Sequence, residues 1–455
     1  MVNINHSLVK QRLVLVGIFV SLVVATLAFS AVSTALDTLK TDLHATPVQL
    51  QWVMNIFGLT MGSTFLAFGR LADIYGRKKL FLLGLILLTI SMLGSGFAKH
   101  IEWIIFFQAI LGFAGGIITP VSLLILTEQF PAAQRKKAIG LWAAALGLSI
   151  ASGSLISGLI VTLFGGQWVF LYNVPLVVMS FLLIAFTLQE SRGELSLHAD
   201  FGGMVLLLIA VSTLVLSITQ AGSWPLLGIM GLLAISACVF LLLGTIESKA
   251  KTPLINATVV KSRSFIFAGL ATCFAIFFVW TCFYMMPLHL QVIHHYTTLQ
   301  AGCVMLLVTA PFALLSLGGN YIFQGVPVKS LLNTGFVLLL FSALIQMYFH
   351  SENYFLPIAL GSILFGTGWG LIWEPATVIA VSALPSQQSS ISTGCLLTIQ
   401  VISGTLGMAL TVSLARAARD LNQGYYYAMW VLVLICIAGF IVTKYVPTMP
   451  QAKEE

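Results

Sequence analysis

Apolar residues run along this chain in long unbroken stretches, separated by short polar breaks, from near the first residue to near the last. Runs of spanning length fall at about 13–36, 48–69, 79–98, 101–127, 138–164, 168–188, 203–221, 225–246, 264–290, 299–319, 330–349, 354–384, 389–415 and 425–446. A helix needs about 20 such residues to cross a bilayer. Stretches that are apolar on every face must be solvated by lipid or by one another, not by water. Turn signals at Gly165-Gly166, Gly222-Ser223-Trp224-Pro225 and Pro385 fall between runs. The pattern predicts an all-α polytopic membrane protein of fourteen spans. No polar segment is long enough for a soluble catalytic domain.

Composition agrees, with 59% hydrophobic and 8% charged residues and a mean hydropathy of +1.02. The net charge of +7 does not imply a nucleic-acid partner, because the bases form no soluble cluster. They sort by loop instead. With the N-terminus inside, seventeen Lys and Arg fall in cytoplasmic segments and four outside, the asymmetry that sets membrane orientation. Of the four, Lys40 and Lys99 are isolated, whereas Arg416 and Arg419 stand together before span 14 as a misfit. Both termini are expected in the cytoplasm. The first run is too long for the core of a cleaved signal peptide. The six cysteines lie inside apolar runs with no C-x-x-C and read as small core residues, not as disulfides or metal ligands. No phosphate-binding G-x-x-x-x-G-K-[ST] occurs, so no enzyme, cofactor or nucleotide-driven pump is expected.

One polar break stands apart. Gly69-Arg70-Leu71-Ala72-Asp73-Ile74-Tyr75-Gly76-Arg77-Lys78-Lys79 packs one acid and four bases between spans 2 and 3. A weaker copy runs from Gly318 to Lys329, where Gly318 and Gly325 keep the spacing of Gly69 and Gly76, Ile322 replaces the acid, and most bases are gone. A diverged duplication of a six-helix unit leaves such a trace. It predicts a six-helix bundle over 1–190, an inserted pair with linkers over 191–253, and a second six-helix bundle over 254–455.

The Gly69–Lys79 stretch resembles the loop between helices 2 and 3 of the major facilitator superfamily, which belongs to the gating machinery of those transporters. Further segments resemble the fourteen-helix drug:proton antiporter family within it. They are Asp42–Val53 at the entry to span 2, Gly153-Ser154-Leu155-Ile156-Ser157-Gly158 against the antiporter motif G-P-x-x-G-G, Gln167–Pro175 at span 6, Asp200–Gly203 at span 7 and Met286–Gln291 in span 9. The resemblance implies a major facilitator fold with Gly69, Asp73, Gly76 and Arg77 at a gate and Gly153 and Gly158 in the antiporter motif. It also implies cavity-lining spans 1, 4, 9 and 12.

The chain departs from that family at its usual charged pair. Ala28 and Ser33 stand where the helix 1 acid and asparagine fall, and Gln108, four residues before Gly112, replaces an arginine. Losing both is electrostatically coherent, since a buried arginine without its carboxylate is unstable. Glu374, in Gly366–Pro375 of span 12, is the acid well inside a span, beside a proline that frees a backbone carbonyl. An intramembrane carboxylate is a functional candidate, for proton coupling or for meeting a cation. The same carboxyl could equally be a protonated hydrogen-bonding group between helices or lie near the cytoplasmic interface. His289, Trp280, Tyr284 and Gln108 are further candidates for coupling or substrate binding, each with an ordinary packing role as the alternative. Gln400 is a weaker one.

The expected function is secondary transport by alternating access, with efflux of a lipophilic or cationic compound leading and protons as the coupling ion. A metabolite or siderophore transporter of the same fold, coupled to protons or not, and a transport-inactive scaffold or sensor remain as alternatives. The expected setting is a monomer in the bilayer of a bacterial inner membrane.

Overall fold

A computed structural model describes residues 2–130, 135–192, 201–221, 223–249, 262–323, 325–349, 355–382 and 389–447. Fifteen helices occupy these residues: α1 Val2–Asp42, α2 Pro47–Tyr75, α3 Arg77–Gly96, α4 Ile101–Gln129, α5 Arg135–Phe164, α6 Trp168–Leu171, α7 Val174–Thr187, α8 Phe201–Thr219, α9 Leu226–Lys249, α10 Arg263–Val292, α11 Thr298–Ile322, α12 Val328–Gln346, α13 Phe355–Ser382, α14 Ser389–Arg416 and α15 Leu421–Thr443. The expected start of span 7 at Asp200 lies outside the described residues, as do Lys251, Lys261 and Lys453.

Twelve helices are long and apolar enough to cross a membrane, the short α6 and α7 together making one of these spans. A thirteenth is α2, bent by 46° between Pro47–Phe65 and Ala67–Tyr75. The expected fourteen is not reached by length and composition, because α8 carries only the shorter apolar stretch Val205–Thr219. Successive spans are joined at alternating ends, so the molecule has an α2–α3 end and an α1–α2 end.

One local device occurs twice in the loops. His44 and His295 are the non-glycine residues with positive φ among those described, at 51° and 55°. Each stands two residues before a threonine N-cap, Thr46 or Thr297, whose side chain and following glutamine, Gln49 or Gln300, form a reciprocal capping box. The same local device therefore opens α2 and α11. We call α1–α7 the first half and α10–α15 the second.

The halves meet along two seams, α5 on α11 and α2 on α14. At the α1–α2 end the first seam closes to backbone contact. A Cβ on Gly158 would lie 2.8 Å from the Thr298 carbonyl oxygen, and one on Gly302 2.5 Å from that of Ser154. The Gln291 amide donates to the Thr34 carbonyl oxygen at 3.0 Å, Thr38 and Thr298 pair at 3.3 Å, and Gln51 donates to the Ala409 carbonyl oxygen at 3.1 Å. The inserted pair lies outside the seams: α8 packs on α2 and α14, and α9 packs on α8. Only 11% of the apolar window of α9 is buried, as expected of a lipid-facing helix.

The cysteines form no disulfide among the described residues. Cys282, Cys395 and Cys436 are buried as expected, but Cys238 and Cys303 are exposed, because each stands on the outward face of its helix.

The close approach at Gly158 generates a test. Gly158→Val should destabilise the protein by about 1–3 kcal/mol through overpacking, read as a lower thermal midpoint in detergent. Gly228→Ala, where nothing lies within 4 Å of the new Cβ, should leave that midpoint unchanged or raise it.

Candidate functional site

The α2–α3 turn is one residue long. Gly76 ends α2 and precedes α3 at φ 113°, a conformation that disfavours any side chain. A Cβ there would also lie 2.6 Å from the Glu190 carboxyl carbon. That carboxylate accepts from the backbone N–H groups of Lys78 at 3.0 Å and Lys79 at 3.2 Å, capping the first turn of α3 where the helix dipole favours an anion. Lys78 in turn donates to the Ala185 carbonyl oxygen near the end of α7 at 2.7 Å.

Arg77 joins three elements. Its guanidinium donates to Asp73 Oδ1 at 2.9 and 3.1 Å and to Glu128 Oε2, on α4, at 3.0 Å. Ser191 donates to the same Glu128 oxygen at 2.6 Å, and its carbonyl oxygen accepts from the Arg77 N–H at 3.0 Å. Asp73, Gly76 and Arg77 are thus brought together as the sequence suggested. Glu128, Glu190 and Ser191 complete the network and were not foreseen, since nothing in their local sequence marks them. Gly69 stands one turn away, where a Cβ would lie 3.9 Å from the Pro120 side chain of α4.

Gly153 and Gly158 lie on α5 at the other end. A Cβ on Gly153 would come within 3.2 Å of the Leu27 carbonyl oxygen of α1. The serines that replace the antiporter motif's proline and glycine bond to α1 directly: Ser157 donates to the Ala31 carbonyl oxygen at 2.7 Å, and Ser154 to that of Ser30 at 3.4 Å. Thr34 closes the set by donating to Ser157 Oγ at 2.9 Å.

Between the two ends, aromatic rings from five helices meet. Trp280 of α10 lies 4.5 Å from Phe29 of α1 and 6.4 Å from Phe57 of α2. Phe29 lies 5.9 Å from Phe283, which stands edge-on to Trp369 of α13 at 6.1 Å. Trp369 stacks on Phe312 of α11 at 3.6 Å and 9°. Trp280 also rests over Gly58 and Gly404, so it touches both sides of the α2–α14 seam. It is 17 residues from the start of α10, roughly 25 Å at the helical rise. The Trp369 indole Nε1, the Gln108 Nε2 and both amide atoms of Gln400 are buried without a protein partner among the described residues. Such groups in a native interior call for a bound molecule or water.

Of the candidates read from sequence, Trp280 belongs to this layer. Tyr284, one turn on, is buried. His289 is fully buried against α15, its ring 4.1 Å from that of Tyr425 and 5.4 Å from that of His294. In the loop beyond, burial holds the His294 imidazole below its ordinary range and His295 adds to this, against a hydrogen bond with the Phe349 backbone.

Glu374 lies elsewhere again. Gly366, Gly370 and Glu374 form one ridge of α13 against α11, meeting Val308, Leu315 and Gly319 in turn. The Glu374 carboxyl carbon would be 2.7 Å from a Cβ on Gly319, and its Oε2 is buried without a hydrogen-bond partner. It is eight residues from the end of α13, roughly 12 Å, nearer the α2–α3 end than the ring layer. Five residues separate it from Trp369, about 140° around the helix. The seams correspond: Gly69 faces Pro120 in the first half, and Gly319 faces Glu374, which precedes Pro375, in the second. Among the described residues no group of three His, Cys, Asp or Glu could hold a metal ion.

Long apolar helices packed along two seams, closed at one end and with an ion-pair network at the other, define a multi-span helical membrane protein. The Major Facilitator Superfamily profile matches residues 18–408, and the chain belongs to that superfamily. It is 24% identical over 407 residues to the multidrug transporter protein MdtP of Bacillus subtilis (strain 168), covering 88% of this chain and 74% of that protein. It is 24% identical over 450 residues to the riboflavin transporter RibZ of Clostridioides difficile (strain 630), covering 96% and 98%. In fold it resembles the crystal structure of a POT family transporter in complex with 5-aminolevulinic acid, with a TM-score of 0.71, 13% identity and 96% coverage of both chains.

Asp73→Asn keeps the shape of the Arg77 contact and removes its charge. Transport should fall severalfold at an unchanged membrane level of protein, measured as dye accumulation in cells against an immunoblot. Unaltered transport would separate the network from the transport cycle.

Proposed function

We propose that the protein exports small lipophilic compounds across a bacterial inner membrane by alternating access, as a monomer with both termini in the cytoplasm. In this reading residues 1–190 and 254–455 are the moving bundles, and the inserted pair, within 191–253, completes fourteen spans. Protons supply the energy. The observation that carries the reading is the ring layer shared by both halves at mid-depth. Planar or bulky apolar ligands stack on such rings, and the unpartnered Trp369 indole N–H would orient a polar edge. Multidrug transporters among the relatives support export.

Ethidium and a flavin, offered to everted vesicles, test this. Trp280→Ala and Trp369→Ala should each lower transport about tenfold by removing a stacking face. Trp103→Ala, on an exposed ring, should not. Parent-like rates in both layer variants would place the substrate site elsewhere. The match to RibZ along nearly its whole length favours a second reading, a metabolite transporter, which transport of the flavin and not of ethidium would establish.

Glu374 is the coupling group in this proposal, since it is the acid placed deep in a span with an unpartnered oxygen. Glu374→Gln should abolish transport driven by a pH gradient in reconstituted vesicles yet permit substrate exchange, which needs no net proton release. Full gradient-driven transport in the variant would exclude it.

A further inference from the structure

Arg416 and Arg419 stand at the α1–α2 end, against the charge pattern of the other loops. The structure gives Arg416 a specific task. α8 ends at Thr219, where unpaired carbonyls and the negative end of the helix dipole accumulate. The Arg416 guanidinium, on the last residue of α14, donates to the Thr219 carbonyl oxygen and, at 3.2 Å, to Ser413 Oγ. Thr219 is fully buried, and its hydroxyl accepts from the Asn55 amide of α2 at 3.0 Å. One residue of the inserted pair is thus held from the first half by Asn55 and from the second by Arg416.

The apolar packing has the same arrangement. Val211 and Val215 of α8 cluster with Leu59 of α2 and Ala409 of α14, so α8 lies along the α2–α14 seam. The seam is already pinned at this level by Gln51 on Ala409. For the α1–α2 end to open, α2 and α14 must separate here. Thr219 cannot follow both.

We propose that the inserted pair is a clamp on the α1–α2 end of the molecule, with Thr219 as its catch and Asn55 and Arg416 as positioning residues for the open–closed equilibrium. The proposal takes from the proposed function only that the halves can part at this end, and its test requires no substrate. α8 stabilises the closed end through contacts that opening must break, and α9 holds α8 from the lipid side through Ser236, which donates to the Ala210 carbonyl oxygen at 2.8 Å.

The readout is placed on the other seam, so that loosening of α8 alone does not register. Thr298, on α11 and facing Gly158, is changed to Cys in full-length protein carrying Cys303→Ser. Its labelling rate by a charged maleimide in detergent is followed by mass spectrometry. Losing a charged hydrogen bond should raise this rate about tenfold in Arg416→Gln, and losing a neutral one about fivefold in Asn55→Leu. Arg416→Lys, which keeps a cation at the carbonyl, should stay within about twofold of the parent. Thr219→Val removes the acceptor for Asn55, so it should match Asn55→Leu and add nothing when combined with it. Unchanged labelling in Asn55→Leu and Thr219→Val would overturn the clamp even if Arg416→Gln did not fold. So would unchanged labelling in a folded Arg416→Gln, or effects of Asn55→Leu and Thr219→Val that multiply.

Discussion

A helix in lipid has already satisfied its own backbone, and the spans of this chain carry almost no charge. The halves can therefore hold one another only by close packing and by hydroxyls and amides that reach the second lone pair of a carbonyl oxygen. The described contacts follow that constraint. Gln291 reaches Thr34, Gln51 reaches Ala409, and Gly158 and Gly302 let two backbones meet. Each bond is individually weak, on the order of 1 kcal/mol. An interface made of such bonds can open and close, whereas a buried ion pair would be slow to exchange.

The described ion pairs lie at the other end. Arg77 binds Asp73 and Glu128 beside water, and Glu190 caps α3 from the segment that follows α7. These contacts tie α2, α3, α4 and α7 into one unit, so the first half can move as a body. The ring layer lies between the charged end and the hydroxyl-bonded end, and it is shared by both halves. A ligand there would be exposed to whichever end is open.

Much of this was legible in the sequence. Apolar runs locate the helices, because lipid demands length and hydropathy whatever the tertiary packing. The Gly69–Lys79 loop was readable because a glycine and charges are conspicuous between apolar spans, and Asp73, Gly76 and Arg77 do assemble there. The partners Glu128, Glu190 and Ser191 were not, since they come from two segments distant in the chain. The ring layer was invisible for a related reason: Phe29, Phe57 and Phe312 look like any other aromatics in apolar runs, and only folding brings them to Trp280 and Trp369. Arg416, the misfit in the charge count, makes a contact within the protein, to the Thr219 carbonyl oxygen.

The central claim is that the α1–α2 end must open in each cycle. Thr38 and Thr298 face one another across the first seam with their hydroxyl oxygens 3.3 Å apart, a geometry that sulfur atoms in their place could bridge. Oxidising a Thr38→Cys/Thr298→Cys protein in vesicles should stop transport, and reduction should restore it, while the unoxidised protein transports normally. Undiminished transport by the fully crosslinked protein would contradict alternating access through this end.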